Sequence, residues 1–164
     1  MIDYKKIKAI AWDFDDTLFA HANHKTETEK EEIDYIKNCL LYANNKNIDY
    51  SEIFSECRAN VFLERFMNRA YNNNIVQGLI SGTNSYVCAE AKIDCVDRVY
   101  GHVLENWCCC SQEQKIIMLK AIAKANGYSP LNILIIDDNA QVITMAADAG
   151  FQSATPIEVV NFVI

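Results

Sequence analysis

Residues 7–18 read Ile7-Lys8-Ala9-Ile10-Ala11-Trp12-Asp13-Phe14-Asp15-Asp16-Thr17-Leu18. The first part of this stretch is apolar apart from Lys8, too short for an ordinary helix and without the strict alternation of a half-exposed strand. Such a run fits a strand buried on both faces of a parallel sheet. The abrupt change at Asp13 then puts a group of acids at the carboxyl end of that strand.

The same form, an apolar strand opening into a polar turn, recurs twice downstream. Residues 75–80 run into Ser81-Gly82-Thr83, and residues 133–136 run into Asp137-Asp138-Asn139. The stretches between them carry helical spacing. One helix is predicted over 28–44, on Ile33, Ile36, Leu40 and Leu41, and a second over roughly 50–71, on Ile53, Phe54, Val61, Phe62, Phe66 and Met67. Further helices are predicted over 85–96, over 112–125 with a stop at Asn126-Gly127 and Pro130, and over 142–149 with a stop at Gly150. A weak strand is placed at 107–110, and the tail supplies a short strand from Phe151 and a helix from Pro156. Strands alternating with helices predict an α/β fold, a Rossmann-like three-layer sandwich around a mainly parallel sheet.

A chain of 164 residues supports one core, so residues 1–164 are read as one domain. Half of the residues are hydrophobic and only two are proline, which excludes a disordered or collagen-like chain. The formal charge of −7 disfavours a broad nucleic-acid-binding surface, which relies on Lys and Arg displacing counterions, and favours a small or locally bound substrate. The first residues lack an apolar signal core, and no uncharged apolar run reaches the roughly 18 residues of a membrane span. A cytoplasmic location is therefore expected. The seven cysteines lack paired C-x-x-C spacing and are read as reduced.

In an open parallel sheet the carboxyl ends of the strands share one edge, and ligands bind in the crevice outside it. The clusters at Asp13, Ser81 and Asp137 should meet there. Carboxylates brought close together raise one another's pKa unless a cation compensates, and Mg²⁺ suits a site of a few carboxylates completed by water and a phosphate oxygen. Asp13, Asp15, Asp137 and Asp138 are the candidate metal-binding residues. Asp13 and Asp15, separated by Phe14, suit a nucleophile and an acid–base partner: one carboxylate forms an acyl phosphate while the other moves protons. Thr17, Ser81 and Thr83 offer hydroxyls to phosphate, and Gly82 lets backbone N–H groups approach anionic oxygens. Lys115, at the start of the 112–125 helix, could place an ammonium beside Asp13 and a transferring phosphoryl group.

These residues resemble the motifs of the haloacid dehalogenase superfamily. Asp13-Phe14-Asp15-Asp16-Thr17-Leu18 is similar to its first motif, Ser81 in Ser81-Gly82-Thr83 to its second, Lys115 to its third and Asp137-Asp138 to its fourth, in the family's order along nearly the whole chain. The resemblance implies a Mg²⁺-dependent phosphatase acting on a small phosphorylated substrate through an aspartyl-phosphate, because dehalogenases lack an acid at the place of Asp15. Many members have Gly where this chain has Asp16. The segment between the first two motifs is short, which implies a minimal helical cap or flap at about residues 19–55.

Asp13, Asp15 and Thr17, the Asp137-Asp138 pair and Ser81 could each be an ordinary helix cap. A non-catalytic module binding a phosphorylated ligand, a phosphoacceptor receiver domain, and a nucleotidase or nucleic-acid end phosphatase are the rival functions. The acid pair favours catalysis, and a mid-chain strand ending in Ser81 disfavours the receiver domain. Lys120 and Lys124 compete with Lys115 and are read as solvated. His21 and His24 are read as polar loop residues, and Cys108-Cys109-Cys110 as strand packing, because adjacent residues point to opposite faces.

Overall fold

All four side chains of β1 (Ala9–Trp12) are buried, as a strand covered on both faces requires. The computed structural model describes residues 2–20, 54, 58–83, 85–102, 104–109 and 111–160. After β1 come β2 (Phe19–Ala20), β3 (Arg58–Ala59), α1 (Glu64–Asn72), β4 (Val76–Leu79), α2 (Tyr86–Tyr100) and β5 (Glu105–Asn106). The chain continues through α3 (Gln112–Asn126), β6 (Ile133–Ile136), α4 (Ala140–Asp148), β7 (Gln152–Ala154) and α5 (Pro156–Val160).

Among the described residues the main sheet has five strands in the order β5-β4-β1-β6-β7, all parallel. The chain leaves β1 for β4 and β5 on one side and returns for β6 and β7 on the other, so the connection reverses at β1. Register is shared across the centre: Trp12 lies opposite both Leu79 and Ile136. The residues that follow these strands therefore emerge side by side.

Alternation along the strands divides the core in two. Ile10, Trp12, Leu134 and Ile136 face one layer, with Phe66, Met67 and Ala70 of α1 and Cys88, Cys95, Val96 and Tyr100 of α2. Ala9, Ala11, Ile133 and Ile135 face the other, with Ile116, Leu119 and Ile122 of α3 and Val142 and Ala146 of α4. Trp107 crosses over β4 so closely that a Cβ at Gly78 would lie 2.3 Å from its indole ring. Only a glycine fits there.

The helix expected over roughly 50–71 is corrected in its described part. Arg58–Ala59 instead forms β3, antiparallel to β2, and helix α1 begins at Glu64. The reason is tertiary: Asn60 donates from its backbone N to the Leu18 carbonyl (2.9 Å) and from Nδ2 to the Thr17 carbonyl (2.5 Å). These bonds tie the segment to the loop after β1 and override the helical pattern. The strand expected at 107–110 falls earlier, at Glu105–Asn106, with Cys109 making an isolated bridge to Gly82. The expected helix over 28–44, His21, His24 and Cys110 lie outside the described residues, as does most of the expected cap. Among the described residues no helix is long and apolar enough to cross a membrane.

Candidate active site

The loop after β1 is shaped by its own turn. Phe19 donates from its backbone N to the Phe14 carbonyl, Asp16 donates back to the Phe19 carbonyl, and Asp16 takes a left-handed φ of 55°. Asp and Gly tolerate that conformation better than most residues, which accounts for an Asp where the resemblance finds Gly. The Phe14 ring stacks on Phe19 (centroids 4.7 Å apart) and meets Phe54 edge-on. With Phe14 anchored inward, Asp13 and Asp15 are left to the sheet edge.

Ladder hydrogen bonds carry the register to the site. Asp13 donates from its backbone N to Ile136, Ile80 donates to Trp12, and Asp137 donates to Ala154. Asp13 and Asp137 thus stand next to each other at the ends of β1 and β6. Between them Lys115 Nζ donates to Asp13 Oδ1 and Asp137 Oδ2, each at 2.7 Å. All three side chains are buried. Lys115 reaches the edge from the first turn of α3, which is capped by the Ser111 hydroxyl accepting from Gln114 N. Lys120 and Lys124 of the same helix are exposed, away from the site.

Asp13, Asp137 and Asp138 each bring a carboxylate oxygen within 4.8 Å of the others. That is a donor set of hard oxygens on a sheet edge, as a divalent cation such as Mg²⁺ prefers. Electrostatics point the same way: burial, with help from Asp137 and Asp15, pushes Asp13 up to about 7 even though Lys115 is beside it. Asp138 is also raised, first by burial and then by Asp137. Burial works against the Lys115 ammonium, but Asp13 and Asp137 outweigh it and hold its pKa above the ordinary lysine value. The carboxylates are thus short of positive charge.

The other expected residues fall into place differently. The Thr17 hydroxyl accepts from Asp138 N (3.0 Å) and lies 3.4 Å from Asp138 Oδ1, so it joins the first and fourth loops. Asp137 Oδ1 accepts from Asn139 N (3.0 Å), and Asn139 caps α4. Ser81 is fully buried beside Asp15, and Thr83 uses its backbone N–H on the Cys109 carbonyl (2.8 Å). Gly82 is exposed, and a Cβ there would meet nothing within 4 Å, which leaves room for a ligand against its backbone. Asp15 was expected among the metal-binding carboxylates, but it is not part of the three-acid cluster. Its side chain is 43% exposed and pairs with Lys92 at 2.5 Å.

Lys92 is the residue that sequence reasoning missed. It is buried on α2, and its Nζ donates to Asp15 Oδ2, Ser81 Oγ (2.9 Å) and the Gly82 carbonyl (3.1 Å). A signal for it existed: Lys92 lies four residues from both Cys88 and Val96 and three from both Ala89 and Cys95, at the centre of the buried stripe of α2. A lysine there must have a buried partner.

No protein-family model matches the chain, and no curated protein matches it. Solved structures do match in fold. A HAD family enzyme from Bacteroides thetaiotaomicron, in a magnesium complex, aligns with a TM-score of 0.57 at 16% identity over 93% of this chain and 94% of that one. A dehalogenase in an intermediate complex gives a TM-score of 0.61 at 12% identity over 93% and 85%. The cobalt-bound deoxy-D-mannose-octulosonate 8-phosphate phosphatase of Haemophilus influenzae gives 0.51 at 17% identity over 97% and 76%. A hypothetical protein from Xanthomonas campestris is longer, and this chain spans 64% of its length (TM-score 0.52, 15% identity). With its parallel sheet and acid-bearing strand ends, the chain has the fold of the haloacid dehalogenase (HAD) enzymes.

Proposed function

We propose that this chain is a Mg²⁺-dependent phosphomonoesterase that acts on a small phosphorylated substrate through an aspartyl-phosphate on Asp13, as a single-domain cytoplasmic enzyme. The observation that carries this reading is the convergence of Asp13, Asp137 and Asp138 at the carboxyl ends of adjacent strands, with Lys115 bridging Asp13 and Asp137.

Asp13, Asp137 and Asp138 would hold the Mg²⁺, which when bound neutralises the carboxylates, favours ionised Asp13 and offers a coordination position to a phosphoryl oxygen. Asp13 is the nucleophile. Its carboxylate oxygen forms a bond to phosphorus as the bond from phosphorus to the leaving oxygen breaks, and Asp15 gives that oxygen a proton. In the second step Asp15 takes a proton from water as the water attacks phosphorus, releasing inorganic phosphate and the Asp13 carboxylate. Lys92 Nζ donates to Asp15 Oδ2 and so orients that carboxyl group. Lys115 keeps Asp13 oriented and offers positive charge to the phosphoryl oxygens. Ser81 and the open backbone at Gly82 form the phosphate-facing side.

Hydrolysis of p-nitrophenyl phosphate tests the reading. Activity is expected with Mg²⁺, is expected to vanish in EDTA, and is expected to be lost in Asp13→Asn while the fold is retained. Full activity in metal-free buffer, or substantial turnover by folded Asp13→Asn, would overturn it.

A further inference from the structure

Lys92 enters the scheme above only as a partner of Asp15, yet its placement is more specific than that. An ammonium group has three protons and accepts nothing. Here the three meet Asp15 Oδ2, Ser81 Oγ and the Gly82 carbonyl, which joins the first loop to the second. The ammonium is seated 5.0 Å from the Phe14 ring centroid and 5.9 Å from that of Phe54. It is therefore held by the same aromatic group that anchors the first loop.

This has a consequence for Ser81. Because Lys92 donates to Ser81 Oγ, the serine oxygen is used as an acceptor and its own proton must point elsewhere. In this structure it points at Asp15 Oδ2, 3.4 Å away. A phosphoryl oxygen entering beside Gly82 would receive that proton instead. We propose that Lys92 is a positioning residue of the phosphoryl site, fixing the Asp15 carboxylate and turning the Ser81 hydroxyl into a donor toward phosphate. The assignment rests on the phosphatase reading for the reaction it serves, but its anion-binding half can be measured without turnover.

The probe is inorganic phosphate with Mg²⁺, titrated by calorimetry into wild type, Lys92→Arg, Lys92→Met and the double variant Lys92→Met/Asp15→Asn, alongside p-nitrophenyl phosphate hydrolysis. Lys92→Met removes the ammonium from Asp15 Oδ2 and from Ser81 Oγ, leaving the Ser81 hydroxyl free to turn. Phosphate affinity should fall roughly ten- to a hundredfold, the range for losing a charge-assisted hydrogen bond. Lys92→Arg should retain part of it. The double variant removes the Asp15 charge together with the ammonium, so it should fold even if Lys92→Met does not, and should bind phosphate better than the single variant. A merely structural lysine would change stability on substitution but leave the phosphate affinity of the folded protein unchanged.

Wild-type affinity in Lys92→Met, or a folded double variant no better than the single, would overturn the assignment while hydrolysis by the wild type leaves the phosphatase reading standing. Phosphate binding with the expected losses but no hydrolysis would overturn the phosphatase reading and support the role of Lys92 in anion binding. A wild type that neither binds phosphate nor hydrolyses the ester would overturn both.

Discussion

Asp13 carries a prediction about stability as well as chemistry. In the metal-free protein its carboxyl is pushed up to about 7 from the ordinary 3.8, chiefly by burial. Between those values the folded protein holds a proton that the unfolded chain has released. The unfolded state binds fewer protons there, so stability falls as pH rises. At about 1.4 kcal/mol per pKa unit, Asp13 alone should remove roughly 2 kcal/mol between pH 5 and pH 7. Asp138 is raised as well and acts in the same direction. The lowered acids Asp3, Glu113 and Glu158 act the opposite way, and their stabilisation is lost only as pH falls below the ordinary carboxylate range. Lys115 is held above its ordinary value and stays charged across the window. The assay is urea unfolding in EDTA at pH 5 and pH 7, followed by the fluorescence of buried Trp12 and Trp107. Asp13→Asn removes the titrating group, so its stability should vary by about 2 kcal/mol less over the same interval. Saturating Mg²⁺ should stabilise the wild type more at pH 7 than at pH 5, because the ion binds the ionised carboxylates. Equal pH slopes for wild type and Asp13→Asn in EDTA, or a wild type that gains stability from pH 5 to pH 7, would refute the reasoning.

Three further outcomes are expected. Gly78→Ala puts a Cβ 2.3 Å from the Trp107 ring and should cost about 1–3 kcal/mol in urea unfolding with a shift in tryptophan emission; a neutral effect would deny that close packing. Asp16 has a φ of 55°, so Asp16→Gly should stay near wild-type stability while Asp16→Val should lose about 1–2 kcal/mol. Asp15→Asn should slow an alkyl phosphate more than an aryl phosphate, and rapid quenching with the aryl substrate should trap phosphate on the protein; dephosphorylation at the wild-type rate would remove Asp15 from acid–base chemistry.

The three central strands were legible because they are buried on both sides. β6 coincides with its apolar run, and β1 and β4 lie within theirs, because strands covered by two helical layers need continuous hydrophobicity. β5 escaped because it is a two-residue edge strand of exposed Glu105 and Asn106, set by pairing to Gly78 and Leu79 and by no local pattern. β3 escaped for a related reason, since Asn60 bonds to Thr17 and Leu18, partners far away in sequence. In the site, the acids were legible because each ends an apolar strand. Lys115 was legible from its place at a helix start, whereas Lys92 lies mid-helix and was marked only by its position within the apolar stripe of α2.

The two lysines explain how the sheet edge holds so many acids. α2 packs on one face of the sheet and α3 on the other. Each layer sends one buried ammonium to the carboxyl edge, Lys92 to Asp15 and Lys115 to Asp13 and Asp137. Phe14 separates the two systems, its ring turned into the core under the Lys92 ammonium. The acids two positions apart therefore have different electrostatic partners, as a nucleophile and a proton carrier require. Among the described residues, Asp13, Asp15, Asp16, Asp137 and Asp138 bring more negative charge to this edge than Lys92 and Lys115 balance, an excess that a divalent cation would reduce. The same edge makes Lys92 and Lys115 unequal: Lys115 lies inside the carboxylate cluster and competes with a metal for Asp13 and Asp137, whereas Lys92 lies outside it and can hold its partners whether or not the ion is bound.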